Sequence, residues 1–274
     1  LQIVKDILDK SSIAHRYIQH ETNKGVLSSF YDALKKVTGD IIFFSDQDDV
    51  WKSDKIEKIY PQFTEKNVNL VLCNADIVDW NLRFLGKTLW QVIKFTPTKL
   101  KDGIVYITGI EELLKRNYAT GMCMAIRKSL LENLDMLSPY MLHDEYFAWK
   151  ALCYGHIVAI NSSYVLYRQH NNNVIGVKGI KKEKNKDMII EQIIKSSEKT
   201  YKKLVELNTW DMSEKNRELL LKAIKFYNWR SSLHSVSEKR KIVNWIKYNL
   251  DGNYRNFSSK TEHARLKDLF LILA

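Results

Sequence analysis

The chain has 274 residues, of which 45% are hydrophobic and 27% are charged, and its formal net charge is +11. This composition excludes an intrinsically disordered chain, and the length is sufficient for one large domain or two smaller ones. No apolar run approaches the ~18 residues that span a bilayer. Cys73, Cys123 and Cys153 are odd in number and lack metal-ligand spacing, which indicates a reducing compartment and predicts a cytoplasmic protein.

The first part of the chain alternates predicted helices and strands. It opens on LQIVKDIL, where Leu1, Val4, Ile7 and Leu8 share one helical face. Neither a methionine nor a helix cap precedes this pattern, so we expect upstream residues to be missing. IAHRYIQH, VLSSFYDALKKV, DIIFFSD, DKIEKIYPQF and VNLVLCNADIVD then follow as short apolar strands and helical patterns. Their alternation predicts an α/β layered domain on a largely parallel sheet.

Residues 178–274 differ in both charge and pattern. They hold 22 Lys and Arg against 12 Asp and Glu, a net charge of +10. MIIEQIIKSSEKTYKKLVEL and NRELLLKAIKFYNWRSSL have the periodicity of amphipathic helices. We therefore predict a basic, mainly helical C-terminal region that faces something anionic. Nucleic acid is not the expected partner, because base-stacking aromatic residues are not interleaved with the basic ones on a recognisable module.

The stretch FFSDQDDVW places three carboxylates, Asp46, Asp48 and Asp49, directly after an apolar strand predicted at residues 41–45. In open α/β sheets, ligands bind beyond the carboxyl ends of strands. Carboxylates one residue apart in a loop repel each other, and a hard divalent cation such as Mg²⁺ or Mn²⁺ relieves that repulsion. The alternative is that Asp49 and Asp54 cap the next helix while the other two are solvated.

Other motifs carry further candidate residues. Asp144 in HDEYFAWKAL precedes a predicted helix and is either a general base facing a cleft or a helix N-cap. Arg168 and His170 in YRQHNNNVIG could grip a diphosphate, unless this stretch is a surface loop. Gly121 in ATGMCM indicates a close backbone approach. Asp76 ends the predicted strand VNLVLCNAD, where a structural role in a turn is expected.

Four of these motifs, FFSDQDDVW, ATGMCMAIRKSLL, HDEYFAWKA and YRQHNNNVIG, resemble in their order the bacterial rhamnosyltransferase-like branch of family 2 glycosyltransferases. The resemblance covers residues 1–177. It implies a GT-A fold, which is Rossmann-like, with a mostly parallel sheet flanked by helices. We therefore expect a GT-A catalytic domain at residues 1–177 and the basic helical region at residues 178–274.

The resemblance also implies roles for the acidic residues. Asp46 would lie on the nucleotide-ribose side of the donor, and Asp48 would hold the metal with support from Asp49. Asp144 would be the general base that accepts the proton of the acceptor hydroxyl. Arg168 and His170 would contact the donor diphosphate.

Three more positions line the implied cleft, and one segment is missing from it. Thr120 and Gly121 would lie near the acceptor sugar or the donor, with Asp76 as a further cleft carboxylate. Glu145 stands where the family has a bulky aromatic residue, which leaves the acceptor preference open. The family's first strand and its Asp-Gly-Ser segment do not occur here, so we expect an N-terminally truncated enzyme.

These features predict an inverting, metal-dependent glycosyltransferase that moves rhamnose from a dTDP donor to a cell-surface polysaccharide or lipid-linked saccharide. A catalytically silent glycosyltransferase-like subunit is the alternative. The basic tail and the terminal RLKDLFLILA predict peripheral association with the anionic inner face of the plasma membrane. The alternative for the tail is that its apolar faces pack on the catalytic domain while its lysines are solvated.

Overall fold

The computed structural model describes residues 2–97, 103–134, 137–169 and 186–273. The chain divides into two compact units, residues 1–38 and residues 39–274. The second unit contains the sheet and the C-terminal helices. The predicted domain boundary near residue 178 lies outside the described residues and stays a prediction.

The first unit contains the helices α1 (Gln2–Leu8) and α2 (Gly25–Leu34). Helix α1 confirms the helix predicted from LQIVKDIL. The segment IAHRYIQH, predicted as a strand, has no regular secondary structure. A strand needs a neighbour for its backbone N–H and C=O groups, and the described part of the first unit contains no other strand to supply one.

The second unit is built on a mixed sheet. Its strands are β1 (Ile41–Phe43), β2 (Val50–Trp51), β3 (Val68–Val78), β4 (Phe84–Thr88), β5 (Ile104–Ile107), β6 (Met124–Arg127) and β7 (His156–Arg168). The order is β1–β6–β3–β7–β2, with β4 beside β3 and β5 beside β7. Strands β1, β3 and β7 run in the same direction, because β6 is antiparallel to β1 and β3 while β3 is parallel to β7.

Strands β3 and β7 form the centre of the sheet. They pair in parallel, with Val71 opposite Val158, and β3 is almost entirely buried, as expected of a strand covered on both faces. The antiparallel pairings of β2, β4, β5 and β6 make the sheet less parallel than the sequence pattern predicts. Strand β3 also continues to Val78, two residues beyond its predicted end at Asp76, because β4 and β7 both pair with its last residues.

Short helices connect the strands: α3 (Lys55–Ile59), α4 (Leu89–Ile93), α5 (Glu111–Lys115) and α6 (His143–Tyr154). Helix α6 packs against β3 and β7. Residues on nearly every side of this helix are buried, including Phe147, Ala148 and Ala151 of the predicted apolar face. The first turn of this helix is consequently inside the protein, and that turn carries Asp144.

The described part of the C-terminal region is helical: α7 (Lys186–Leu207), α8 (Glu214–Ser231), α9 (Glu238–Leu250), α10 (Asn253–Phe257) and α11 (Thr261–Leu273). These helices have an aromatic core, in which the Phe226 ring meets the Tyr254 ring edge-on at 5.0 Å. Arg230 makes two bonds of 2.7 and 2.8 Å to Asp268, which is fully buried. The mainly helical C-terminal region is therefore confirmed.

Candidate active site

The acidic loop begins directly after β1, which ends at Phe43, two residues earlier than predicted. Asp46, Asp48 and Asp49 are half-buried on this loop. Burial raises the pKa of Asp46, and the charge of Asp48 adds to that rise. Burial also raises the pKa of Asp49 to about 6, although the backbone N–H of Arg168 donates to its Oδ1 at 2.9 Å. The loop thus holds mutually repelling carboxylates that water screens only in part.

These carboxylates have the chemistry that a hard divalent cation requires. Oδ2 of Asp49 is buried and has no hydrogen-bond partner among the described residues. Among the described residues, no group of three or more His, Cys, Asp or Glu is arranged so that it could hold a metal ion by itself. Mg²⁺ commonly takes only one or two protein carboxylates and completes its shell with substrate phosphates and water. The loop fits that kind of shared site.

Lys55, in the first turn of α3, is a buried lysine that sequence reasoning missed. Its side chain is fully buried, and Nζ donates to the carbonyl of Met122 at 2.7 Å and lies 3.8 Å from the centroid of the Trp51 ring. Burial lowers the pKa of Lys55, while Asp49 and Asp46 are among the groups that favour its charge. In DKIEKI it looks like an ordinary surface lysine, so the sequence carries no signal for this contact.

Asp144 lies in the first turn of α6, and only 4% of it is exposed. Burial raises its pKa to about 6, the charges of Glu145 and Asp46 add to the rise, and hydrogen bonds from Glu145 N–H and Asn117 oppose it. The N-cap of α6 is Leu142, so the N-cap alternative for Asp144 is wrong. Because the charge of Asp46 contributes to the raised pKa of Asp144, the structure places Asp144 within electrostatic reach of the acidic loop.

Gly121 lies against His143, the residue before Asp144. A Cβ atom on Gly121 would lie 2.7 Å from Nε2 of His143, which confirms the close approach predicted for this glycine. The His143 ring stacks on Phe44 with centroids 5.4 Å apart, and burial lowers its pKa to about 4. His143 is therefore neutral at physiological pH. Thr120, immediately before Gly121, is half-buried.

Two of the remaining predicted residues, Arg168 and Asp76, lie on the central strands β7 and β3. Arg168 ends β7, and its guanidinium lies 4.8 Å from the centroid of the Trp80 ring. Asp76 lies within β3 and pairs with Nζ of Lys52 at 2.8 Å. His170 lies outside the described residues. The diphosphate role of Arg168 and His170 stays a prediction.

Glu145 pairs with a lysine of the C-terminal region, and its predicted place in the acceptor cleft stays a prediction. Its Oε1 lies 2.6 Å from Nζ of Lys203 on α7. A separate cavity of about 610 Å³ lies within the first unit and has a basic lining that includes Arg16, Lys24 and Lys36. None of the residues predicted for the site lines that cavity.

Comparison with known proteins finds a family match in the first half of the chain. Residues 1–135 match glycosyl transferase family 2. The UDP-Glc:alpha-D-GlcNAc-diphosphoundecaprenol beta-1,3-glucosyltransferase WfgD of Escherichia coli is 24% identical over 160 residues, which are 58% of this chain and 56% of that protein. An uncharacterised glycosyltransferase of Nostoc sp. is 25% identical over 158 residues, 56% of this chain and 47% of that protein. The chain thus spans about half the length of these curated relatives.

A solved structure shares the fold. The crystal structure of S. aureus TarS residues 1–349, in complex with UDP-GlcNAc, superposes with a TM-score of 0.56 at 16% identity, covering 99% of this chain and 76% of that one. This likeness confirms the predicted α/β fold of GT-A type followed by a helical region. The likeness shows the fold alone, and the family match at residues 1–135 supports the prediction of a glycosyltransferase.

Proposed function

Given the glycosyl transferase family 2 domain at residues 1–135, we propose that this chain transfers a sugar from a nucleotide-diphosphate donor to a hydroxyl acceptor with inversion. One observation carries this proposal. The buried Asp144, with its pKa raised to about 6, lies within electrostatic reach of Asp46 on the acidic loop after β1. A general base and a set of cation-binding carboxylates are the two parts that this reaction requires.

On the donor side, Asp46 and Asp48 hold the divalent cation, Mg²⁺ or Mn²⁺, with Asp49 in support, and Asp46 also lies on the ribose side. The cation, when bound, neutralises charge on the departing diphosphate. Asp49 keeps Oδ1 on the Arg168 backbone, so it aligns the loop with the end of β7. The Arg168 side chain and His170 contact the diphosphate.

On the acceptor side, Asp144 takes the proton of the attacking hydroxyl. The acceptor oxygen forms a bond to the anomeric carbon as the bond from that carbon to the diphosphate breaks, and a single displacement inverts the configuration. A pKa of about 6 leaves Asp144 mostly ionised at neutral pH, yet more basic than an exposed carboxylate. Thr120, Gly121, Asp76 and Glu145 lie around this acceptor side.

The substrate class follows from two sources. The motif resemblance favours rhamnose from dTDP-rhamnose, whereas the name of the E. coli relative specifies UDP-glucose and a diphosphoundecaprenol-linked acceptor. We therefore propose a nucleotide-diphosphate sugar as donor, with dTDP-rhamnose as the first candidate. The acceptor is a saccharide of a growing surface polysaccharide, free or linked to a lipid.

A lipid-linked acceptor would require contact with a membrane. No helix in the described ranges is long and apolar enough to cross one. Helix α9 packs through Tyr248, whose ring lies 5.0 Å from that of Trp229, but much of its other side is apolar and exposed. That exposed set, here called the α9 face, consists of Ile242, Val243, Ile246 and Leu250. We propose that the α9 face and the neighbouring lysines bind the anionic inner leaflet from the cytoplasm.

Turnover of the full chain tests the proposed activity. The protein is incubated with dTDP-rhamnose, UDP-glucose or UDP-GlcNAc and saccharide acceptors, with Mn²⁺ or with EDTA, and the released nucleoside diphosphate is measured. We expect release that depends on the acceptor and the metal with one of these donors. Donor binding without turnover across the acceptor set would instead identify a catalytically silent subunit.

A further inference from the structure

One ion pair connects the helical region to the first turn of α6. Nζ of Lys203 on α7 lies 2.6 Å from Oε1 of Glu145, the residue that follows Asp144. The two side chains are 16% and 15% exposed, whereas the neighbouring pair Lys202–Glu198 on the same helix is about half exposed. A pair shielded from solvent is screened less by water and salt, so its charges act more strongly on nearby groups.

Two other contacts hold the same segments together. Oγ of Ser138 donates to Oε2 of Glu206 at 2.9 Å, one helical turn from Lys203. The Tyr146 ring, on α6, meets the Trp210 ring edge-on at 5.1 Å. Helix α7 and the residues after it are thus fixed at three points to the start of α6 and the segment before it, and the position of Lys203 is determined by packing as well as by charge.

We propose that Lys203 is a positioning residue for the transfer reaction, which holds the first turn of α6 and offsets the charge of Glu145 beside Asp144. The inference rests on the proposed role of Asp144 as the base. It gives the basic helical region a direct part in the catalytic site, in addition to any contact with a membrane. It also gives a reason for an acidic residue beside the base.

The charged groups that bear on Asp144 come from three elements. Glu145 follows it on α6, Asp46 lies on the loop after β1, and both disfavour its ionised form. His143 precedes it and is neutral at physiological pH because burial lowers its pKa to about 4. Lys203 supplies a positive charge from α7 through Glu145. Removing Lys203 or removing the Glu145 charge should therefore act on Asp144 in opposite directions.

The test compares Lys203→Met with Glu145→Gln. Lys203→Met leaves the Glu145 charge uncompensated, so the acid limb of the kcat/KM profile should move up by roughly 0.5–1 pH unit. Glu145→Gln leaves the Lys203 charge uncompensated, so that limb should move down by a similar amount. The double variant should lie between them. Loss of packing alone would move both single variants in the same direction, because each breaks the same ion pair.

Matched variants separate charge from packing. Lys203→Arg keeps the charge and should restore the wild-type profile, while Lys202→Met removes the adjacent exposed lysine and should leave the profile unchanged. All measurements use the full chain at one saturating Mn²⁺ concentration. Circular dichroism and thermal melting identify any variant that fails to fold, and a misfolded Lys203→Met is replaced by Lys203→Gln.

A second measurement does not depend on turnover. The pH dependence of the free energy of unfolding is compared for each variant with and without Asp144→Asn, and the difference reports the titration of Asp144 alone. Opposite shifts of that titration in Lys203→Met and Glu145→Gln support the inference even if no tested donor is turned over. Equal shifts, or none, overturn it, even when the wild-type protein is active and the proposed function stands.

Discussion

The backbone N–H of Arg168 donates a 2.9 Å hydrogen bond to Oδ1 of Asp49, which joins the end of β7 to the loop after β1 across 119 residues of sequence. This bond occupies one carboxylate oxygen of the acidic loop with a structural contact. Asp46 and Asp48 are therefore the better candidates for holding a cation directly. The distinction leads to a specific expectation for Asp48.

Asp48→Ala should remove the metal-dependent part of donor affinity and leave the fold intact. Removing a residue that hydrogen-bonds to a metal ligand commonly costs about 10–100-fold in metal affinity or activity, so the loss of a ligand itself should cost at least that much. Donor binding is measured by calorimetry with Mn²⁺ and with EDTA. Asp54→Ala is the matched control, because Asp54 lies in the same segment and its side chain makes no capping bond to α3. Equal Mn²⁺-dependent affinity in wild type and Asp48→Ala would contradict the assignment.

Asp144→Asn should lower kcat by ~10²–10⁴-fold, the usual contribution of a positioned base, with little change in donor affinity. The amide has the shape of the carboxylate but cannot accept the proton of the acceptor hydroxyl. Single-turnover kinetics with saturating donor separate this loss from any effect on binding. A kcat within about threefold of wild type would exclude Asp144 as the base.

The same substitution should stabilise the folded protein at neutral pH. The folded-state pKa of Asp144 is about 6, above its ordinary value of 3.8, so the folded state holds the proton more tightly than the unfolded state does. The contribution of Asp144 to stability is fully present below about pH 4 and is lost as the pH rises through about 6. The free energy of unfolding of Asp144→Asn should therefore be higher than that of wild type by about 3 kcal/mol at pH 7.5.

Urea denaturation of both proteins at pH 4 and pH 7.5 checks this sign. The gain from Asp144→Asn should shrink or disappear at pH 4, where the wild-type carboxyl is protonated in the folded state. A gain that is larger at pH 4 than at pH 7.5 would mean that the carboxylate is stabilised, not strained, by its surroundings.

The sequence predicted the features that depend on local pattern. The acidic loop after an apolar strand, the long helices α7 and α8 and the close approach at Gly121 could all be identified from neighbouring residues. Contacts between distant segments could not. The Lys55–Met122 bond joins residues 67 apart, and the Lys203–Glu145 pair joins residues 58 apart. Both lysines look like solvated surface residues in the sequence, because only the tertiary fold buries them.

Gly121→Ala should reduce activity by moving His143. The added Cβ would lie 2.7 Å from Nε2 of that ring, and His143 is held on its other side by stacking on Phe44. Overpacking of this kind typically costs about 1–3 kcal/mol in stability, and a displaced first turn of α6 would misplace Asp144. Thermal melting and kcat are measured together. Gly39→Ala is the control, because its Cβ would meet only ordinary contact at 3.6 Å.

The α9 face should bind anionic vesicles, because its exposed apolar residues lie on a helix that also carries Lys239, Arg240, Lys241 and Lys247. Each basic residue near an anionic surface contributes ~1 kcal/mol, and salt screens that contribution. In co-sedimentation with phosphatidylserine vesicles, Ile246→Gln should weaken binding. Leu221→Gln, which changes an apolar residue of similar exposure on α8 (41% against 47%), should not. Equal binding to neutral and anionic vesicles, or a concentration-dependent increase in mass without vesicles, would show that the α9 face has a different partner.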